Sequence, residues 1–210
     1  MQYNKWLESK VDVFWGEIAP CEHVVQIYEN DTMFLELLAE YVSDGFQKNE
    51  SVVIIATREH LHLLEERLKN LSFDIFTLRL QDRFIALDAH QVLSRFMIGG
   101  WPDEILFRHA VKEILSRAGK NGRPVRAFGE MVAILWAQGH NGATIQLEHL
   151  WNDLQESESF TLYCAYPRAG FTRHASESIM HIYGTHSKII GAADSSPKDI
   201  LYKDVSSVSN

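Results

Sequence analysis

The stretch that most restricts the fold is SVVIIAT, residues 51 to 57. It is a continuous β-branched run with no polar alternation, which is the signature of a strand covered on both faces in a parallel sheet. Parallel neighbours need crossover helices between them, and the flanking sequence supplies the pattern. Upstream, HVVQIY (23 to 28) reads as a first core strand. Asn30 or Asp31 can then cap a helix in which Met33, Phe34, Leu37, Leu38, Tyr41 and Val42 recur at helical spacing as far as Gly45. Downstream, Thr57 can cap a helix striped by Leu61, Leu64 and Leu68.

The alternation continues. FDIFTLRLQDRFIALDA, from Phe73, reads as two short strands around a polar turn at Gln81 and Asp82. Asp88 with Gln91 matches a capping box for a helix closed by Gly99 and Gly100. A helix over Asp103 to Ala118, a strand VRAFGE, a buried helix MVAILWAQG and a helix over Thr144 to Gln155 follow, then a strand FTLYCAYP. A final helix and its exit fit between Phe171 and Ile190. This order predicts an α/β three-layer sandwich with a mostly parallel central sheet. Residues 1 to 20 read as an amphipathic extension anchored by Trp6, Val11, Val13, Phe14 and Trp15; residues 21 to 190 form the domain; residues 191 to 210, rich in Ser, Asp and Lys, read as a flexible tail or linker stub.

Charge and cysteine content narrow the function. With 20 basic and 28 acidic residues the formal charge is -8, which opposes direct binding to nucleic acid or anionic lipid. No run approaches the ~20 apolar residues of a membrane span. Cys21 and Cys164 lack CxxC spacing, so a reducing, cytoplasmic setting is expected, with each thiol a small buried residue. The ten histidines do not fall into metal-ligand pairs: His60 and His62 do not share a helical face, His181 and His186 are badly spaced, and Cys21 with His23 lacks a second pair. No metal site is therefore expected, and His23 reads first as a hydrogen-bonded structural residue. There is no GxSxG elbow, and Cys164 lies inside a strand where a thiol is inert. None of these segments calls for a cofactor. Trp101, Trp136 and Trp151 are expected in the core rather than lining a pocket.

Ligands of open parallel sheets collect at the C-terminal ends of the strands. That rule selects Tyr28, Glu29 and Asn30; Thr57, Arg58 and Glu59; Asp88; Gly129, Glu130 and Met131; Tyr166 and Pro167. The turn YENDTMFLE has neither the glycines nor the lysine of a phosphate loop, and Glu29 and Asp31 would repel phosphate. Two tyrosines, an arginine and several carboxylates suit a small polar or mixed ligand better than a triphosphate. Glu130 stands between an apolar strand and an apolar helix. It is either a ligand-facing carboxylate with Arg58 or Arg126 as partner, or an acidic residue favoured by a helix dipole.

Taken in order, HVVQIYEN, VVIIATREH, RFIALDA, FMIGGWPDEILF, GRPVRAFGEMVAILWAQGHNGATIQLEHLWNDL and LYCAYP resemble the MEDS domain, the sensory domain named for methanogens and methylotrophs, over about residues 20 to 171. The resemblance implies a fold similar to RecA/KaiC-class P-loop ATPases with the ATP-binding motif lost. It also implies signalling alongside histidine kinases or DNA-binding regulators, with small molecules such as hydrocarbon derivatives as the signal. The matching positions are His23, Tyr28, Asp88, Gly129, Glu130, Trp136, Glu148, Trp151, Asn152, Tyr166 and Pro167. No output module is visible, so the expected partners are a histidine kinase or transcription regulator in trans, or a second copy of the chain.

The resulting expectation is a non-enzymatic sensory domain that binds an unknown small molecule through His23, Tyr28, Glu29, Thr57, Arg58, Glu130, Trp136 and Tyr166. The alternatives are an interaction adaptor whose degenerate nucleotide pocket is filled by side chains, and a divergent ATPase or hydrolase using Glu130 or Glu59 as base.

Overall fold

The computed structural model describes residues 15, 18–19, 21–170 and 176–191. The expected α/β sandwich is present. Strands β1 (His23–Tyr28), β2 (Ser51–Ala56), β3 (Phe84–Asp88), β6 (Val125–Gly129), β7 (Thr161–Pro167) and β8 (Lys188–Gly191) form one sheet in the order β3-β2-β6-β7-β1-β8. Every pairing in it is parallel. On β2, Val52 and Ile54 enter one core layer while Val53 and Ile55 enter the other, which accounts for the unbroken apolar run.

One face is covered by α1 (Asp31–Gln47), α2 (Arg58–Asn70) and α3 (Ile75–Leu80). The other carries α4 (Ala89–Leu93), α5 (Glu104–Ala118), α6 (Met131–Ala137), α7 (Asn141–Ser157) and α8 (Ser176–Gly184). Asn30 is the cap expected for α1, its Oδ1 accepting from Met33 N at 2.9 Å, and Asp103 caps α5 in the same way, its Oδ1 accepting from Leu106 N at 2.9 Å. Trp15 is the anchor of the N-terminal extension that the structure describes, and it packs on Tyr41 and Tyr163 with ring centroids 4.9 and 5.2 Å apart. Trp6, Val11, Val13, Phe14 and the tail beyond Gly191 lie outside the described residues. Among the described residues no helix is long and apolar enough to cross a membrane.

Five local expectations are corrected. The segment starting at Ile75 is the helix α3, because Asp74 caps it through Thr77 N at 3.1 Å and its buried pair, Ile75 and Leu78, has helical spacing. Helix α4 stops at Leu93. Gly99 (φ 58) and Gly100 (φ 86) instead turn a small hairpin of β4 (Met97–Ile98) and β5 (Trp101–Pro102), where left-handed backbone favours glycine. Trp101 is half exposed rather than in the core, while Trp136 and Trp151 are buried as expected. Cys21 is likewise exposed, with Sγ 3.2 Å from Ser159 Oγ. Beyond α8, the chain returns as β8 alongside β1, a strand for which the reading of residues 171 to 190 made no provision.

Candidate functional site

The C-terminal edge of the sheet is closed by the protein's own oxygen atoms at the two places where a phosphate would be sought. At the end of β1, Asn30 occupies the α1 N-terminus, and the buried Tyr28 stacks on Phe34 with centroids 4.6 Å apart and planes at 18°. Burial, reinforced by the charges of Glu130 and Asp31, pushes the Tyr28 hydroxyl well above its usual value. At the end of β2, Thr57 Oγ1 accepts from His60 N at 3.4 Å. Glu130 reaches over from the start of α6, where its Oε2 accepts from Thr57 N at 2.8 Å and its Oε1 lies 2.9 Å from His60 Nδ1.

Neither Arg58 nor Arg126 is the partner of Glu130. Arg58 pairs with Asp88, Nε to Oδ2 at 2.5 Å, and Arg126 lies at the opposite end of the strands with Asp44 and Glu50. Glu130 makes no cap for its own helix and instead accepts from the N–H of Thr57, the capping residue of the neighbouring helix α2. Burial works against protonation of His60, but the hydrogen bond and charge of Glu130, with Asp31 and Glu59 beyond, raise its pKa above the ordinary value. Asp88 is held below the usual carboxylate range, first by accepting from Gln91 N at 3.1 Å and then by Arg58.

Beside this closed edge lies a recess of about 480 Å³ lined by Thr57, Arg58, Asp88, His90, Gln91 and Ser94. The Arg58–Asp88 pair sits at its wall with the arginine side chain mostly exposed, so an incoming acceptor can compete for the guanidinium without breaking the core. The nominated residues thus divide. Thr57 and Arg58 face the recess, with Glu130 and Tyr28 beneath the same edge. Glu29 stands at the rim, exposed, accepting from Arg168 Nη1 at 2.9 Å. Trp136 is buried and donates from Nε1 to Gly170 O at 2.7 Å.

His23 and Tyr166 belong elsewhere. They face the α7 layer, where His23, Glu148, Cys164 and His186 are all buried and their donor atoms lie within 4.8 Å of one another. The Tyr166 hydroxyl donates to Glu148 Oε1, and Asn152 Oδ1 is 2.7 Å from His23 Nδ1. Burial lowers the His23 pKa to about 4 and raises that of Glu148 to about 8. Among the described residues, these are the side chains grouped closely enough to hold a metal. Spacing along the chain does not reveal the group, since its members come from four separate segments. Two of its members, His23 and Glu148, and two of its neighbours, Asn152 and Tyr166, are nonetheless among the positions carried by the family resemblance.

The sequence matches the family profile described as MEDS: MEthanogen/methylotroph, DcmR Sensory domain, over residues 22–187. No curated protein matches it. Among solved structures, it is similar to three proteins of Pyrococcus horikoshii. The KaiC-like protein PH0186 (strain OT3) superposes with a TM-score of 0.58 at 11% identity, covering 84% of this chain and 74% of that one. The uncharacterised protein PH0321, solved in complex with an unknown peptide, gives 0.63 at 12% identity, covering 88% and 82%. PH0250 (strain OT3) gives 0.58 at 14% identity, covering 91% and 97%. At these identities the likeness establishes a shared KaiC-like fold.

Proposed function

The chain belongs to the MEDS family of sensory domains, and from that premise we propose that it is a non-catalytic sensor that takes up a small polar molecule at the C-terminal edge of its sheet and relays occupancy to a separate output protein. One contrast carries this reading. The helix N-termini that would bind phosphate carry their own caps, Asn30 on α1 and Thr57 on α2 with Glu130 accepting from the Thr57 N–H, while the recess beside Arg58 and Asp88 remains open. A ligand offering an acceptor to Arg58 and a donor to Asp88 fits its lining, and a triphosphate meets carboxylates instead. The shared KaiC-like fold then supplies a scaffold rather than a nucleotide chemistry.

The test is a thermal-shift screen of metabolites, halocarbons and nucleotides, followed by calorimetry on each hit. Arg58→Ala is expected to weaken a true ligand at least tenfold while leaving the melting temperature of the free protein near that of the wild type. A hit whose affinity survives Arg58→Ala, or magnesium-dependent ATP turnover abolished by Glu130→Gln, would refute the proposal.

A second reading, the interaction adaptor, draws on the exposed pair Ile98 and Trp101 that face each other across the β4–β5 hairpin. Exposed apolar side chains mark a contact surface where they join into a patch, and this pair would be its centre. The adaptor predicts that Trp101→Ser abolishes recovery of a partner in pull-downs, and that no small molecule raises the melting temperature.

A further inference from the structure

We propose that His23, Glu148, Cys164 and His186 form a closed, four-coordinate site for a zinc-class divalent cation between the sheet and helices α7 and α8. The donor atoms all lie within 4.8 Å of one another, and four of their separations approach those of a tetrahedral site. His23 Nε2 lies 3.3 Å from Cys164 Sγ and 3.5 Å from Glu148 Oε2; Glu148 Oε2 lies 3.6 Å from His186 Nε2 and 3.9 Å from Cys164 Sγ. A tetrahedral zinc with bonds of about 2.0 to 2.3 Å holds its donors about 3.3 to 3.8 Å apart.

The atoms surrounding the four side chains fix which lone pairs point inward. Asn152 donates from Nδ2 to Thr185 O at 2.9 Å, so its Oδ1 is the atom turned toward His23 Nδ1 at 2.7 Å. That oxygen can only accept, so the proton of His23 is on Nδ1 and the lone pair is on Nε2. His186 Nδ1 lies 2.5 Å from Ile182 O, also an obligate acceptor, which puts its lone pair on Nε2 as well. His186 Nε2 is buried and has no hydrogen-bond partner. The Tyr166 hydroxyl occupies Glu148 Oε1, leaving Oε2 as a single inward donor. Two imidazole lone pairs, a carboxylate oxygen and a sulfur therefore converge on one point. Supporting contacts from an amide, a backbone carbonyl and a phenol hold them there, as the outer groups of metal sites do.

Charge and ligand type indicate the cation. A dication balanced by one thiolate and one carboxylate leaves the buried site neutral, which avoids the cost of an isolated interior charge. Sulfur and imidazole select a borderline first-row ion over magnesium or calcium, and four protein donors out of reach of solvent suit a structural site. The ligands come from β1, α7, β7 and the turn before β8, so the cation would pin the edge strand β8 to the centre of the sheet. This site is independent of the recess at Arg58.

The full chain, purified without a histidine tag and passed over a desalting column, is expected to carry about one zinc per chain by mass spectrometry. Replacing it with cobalt should give a thiolate-to-cobalt charge-transfer band and the intense visible bands of a tetrahedral ion. The chain has two cysteines, so Cys21→Ser must keep the charge-transfer band and Cys164→Ser must lose it. Asn152→Ala, which touches no metal, should weaken cobalt binding about 10- to 100-fold. The proposal is overturned if the folded wild type holds only trace metal and develops no charge-transfer band. It is equally overturned by a weak octahedral spectrum or by a band lost in Cys21→Ser. The wild-type and Cys21→Ser spectra decide even if the core variants fail to fold.

Discussion

Glu130 gives the clearest test of how the sheet edge is closed. Its carboxylate satisfies the backbone N–H of Thr57 at 2.8 Å and faces His60 Nδ1 at 2.9 Å, with only 8% of the side chain exposed. Glu130→Ala strands both groups in a site water barely reaches. A hydrogen bond to a charged acceptor contributes about 1.5 to 3 kcal/mol, and a stranded buried donor costs about as much, so a loss of about 2 to 3 kcal/mol is expected. For a chain of this size that lowers the melting temperature by about 4 to 12 °C. Glu130→Gln keeps an oxygen for Thr57 and should cost less, but it removes the charge that raises the His60 pKa. A histidine whose pKa is raised in the folded state contributes stability that is complete below its unfolded value of about 6.5 and is lost as pH rises through the folded value. The stability gap between wild type and Glu130→Gln should therefore narrow from pH 6 to pH 8 in urea titrations. A gap that stays constant with pH, or a Glu130→Ala protein within about 0.5 kcal/mol of wild type, where unremarkable surface substitutions fall, would refute this account of the edge.

At the opposite end of the strands, Gly45 is packed too closely for a side chain: an added Cβ would lie 2.7 Å from Arg126 Cδ and 2.9 Å from Val52 Cγ2. Gly45→Ala should cost about 1 to 3 kcal/mol in a urea titration, because Arg126 is held in place and cannot yield. Arg126 is itself buried, donating from Nη2 to Asp44 Oδ2 at 2.9 Å and from Nη1 to Tyr41 O at 2.8 Å, with its guanidinium 4.8 Å over the Tyr41 ring. Arg126→Met should destabilise by about 3 to 5 kcal/mol, reduced to the extent that water reaches the freed Asp44 and Glu50.

The sequence displays the fold best where burial on both faces leaves no choice of period. VVII on β2, short and β-branched, reads as a covered strand, and the caps at Asn30, Thr57 and Asp103 mark helix starts through side chains that bond to backbone three residues on. It misleads where a short segment satisfies two periods at once. In FDIFTLRL, Phe76, Leu78 and Leu80 alternate as in a strand, yet Ile75 and Leu78 are the buried pair and Phe76 and Leu80 face solvent, because the Asp74 cap decides the matter locally. The strand-end rule likewise finds the right edge but not the right grouping. Tyr28 and Tyr166 end neighbouring strands in a register of one residue's offset, and they enter opposite core layers.

The missing strand and the unrecognised cluster have a single cause. With KIIG taken as the exit of a helix, His186 has no position except five residues after His181, which is useless as a ligand pair. Once β8 lies parallel to β1 with Val24 opposite Lys188, the turn ahead of it places Ser187 N 2.8 Å from His23 O. The His186 ring then rests 3.9 Å from that of His23. Register places the third member too: Val25 pairs with Cys164, so His23 and the thiol share one face of adjoining strands. Metal-type chemistry assembled across an edge strand leaves no spacing motif, because its geometry is written in strand pairing. His186, two residues ahead of β8, is therefore the side chain whose role depends on settling the sheet order first.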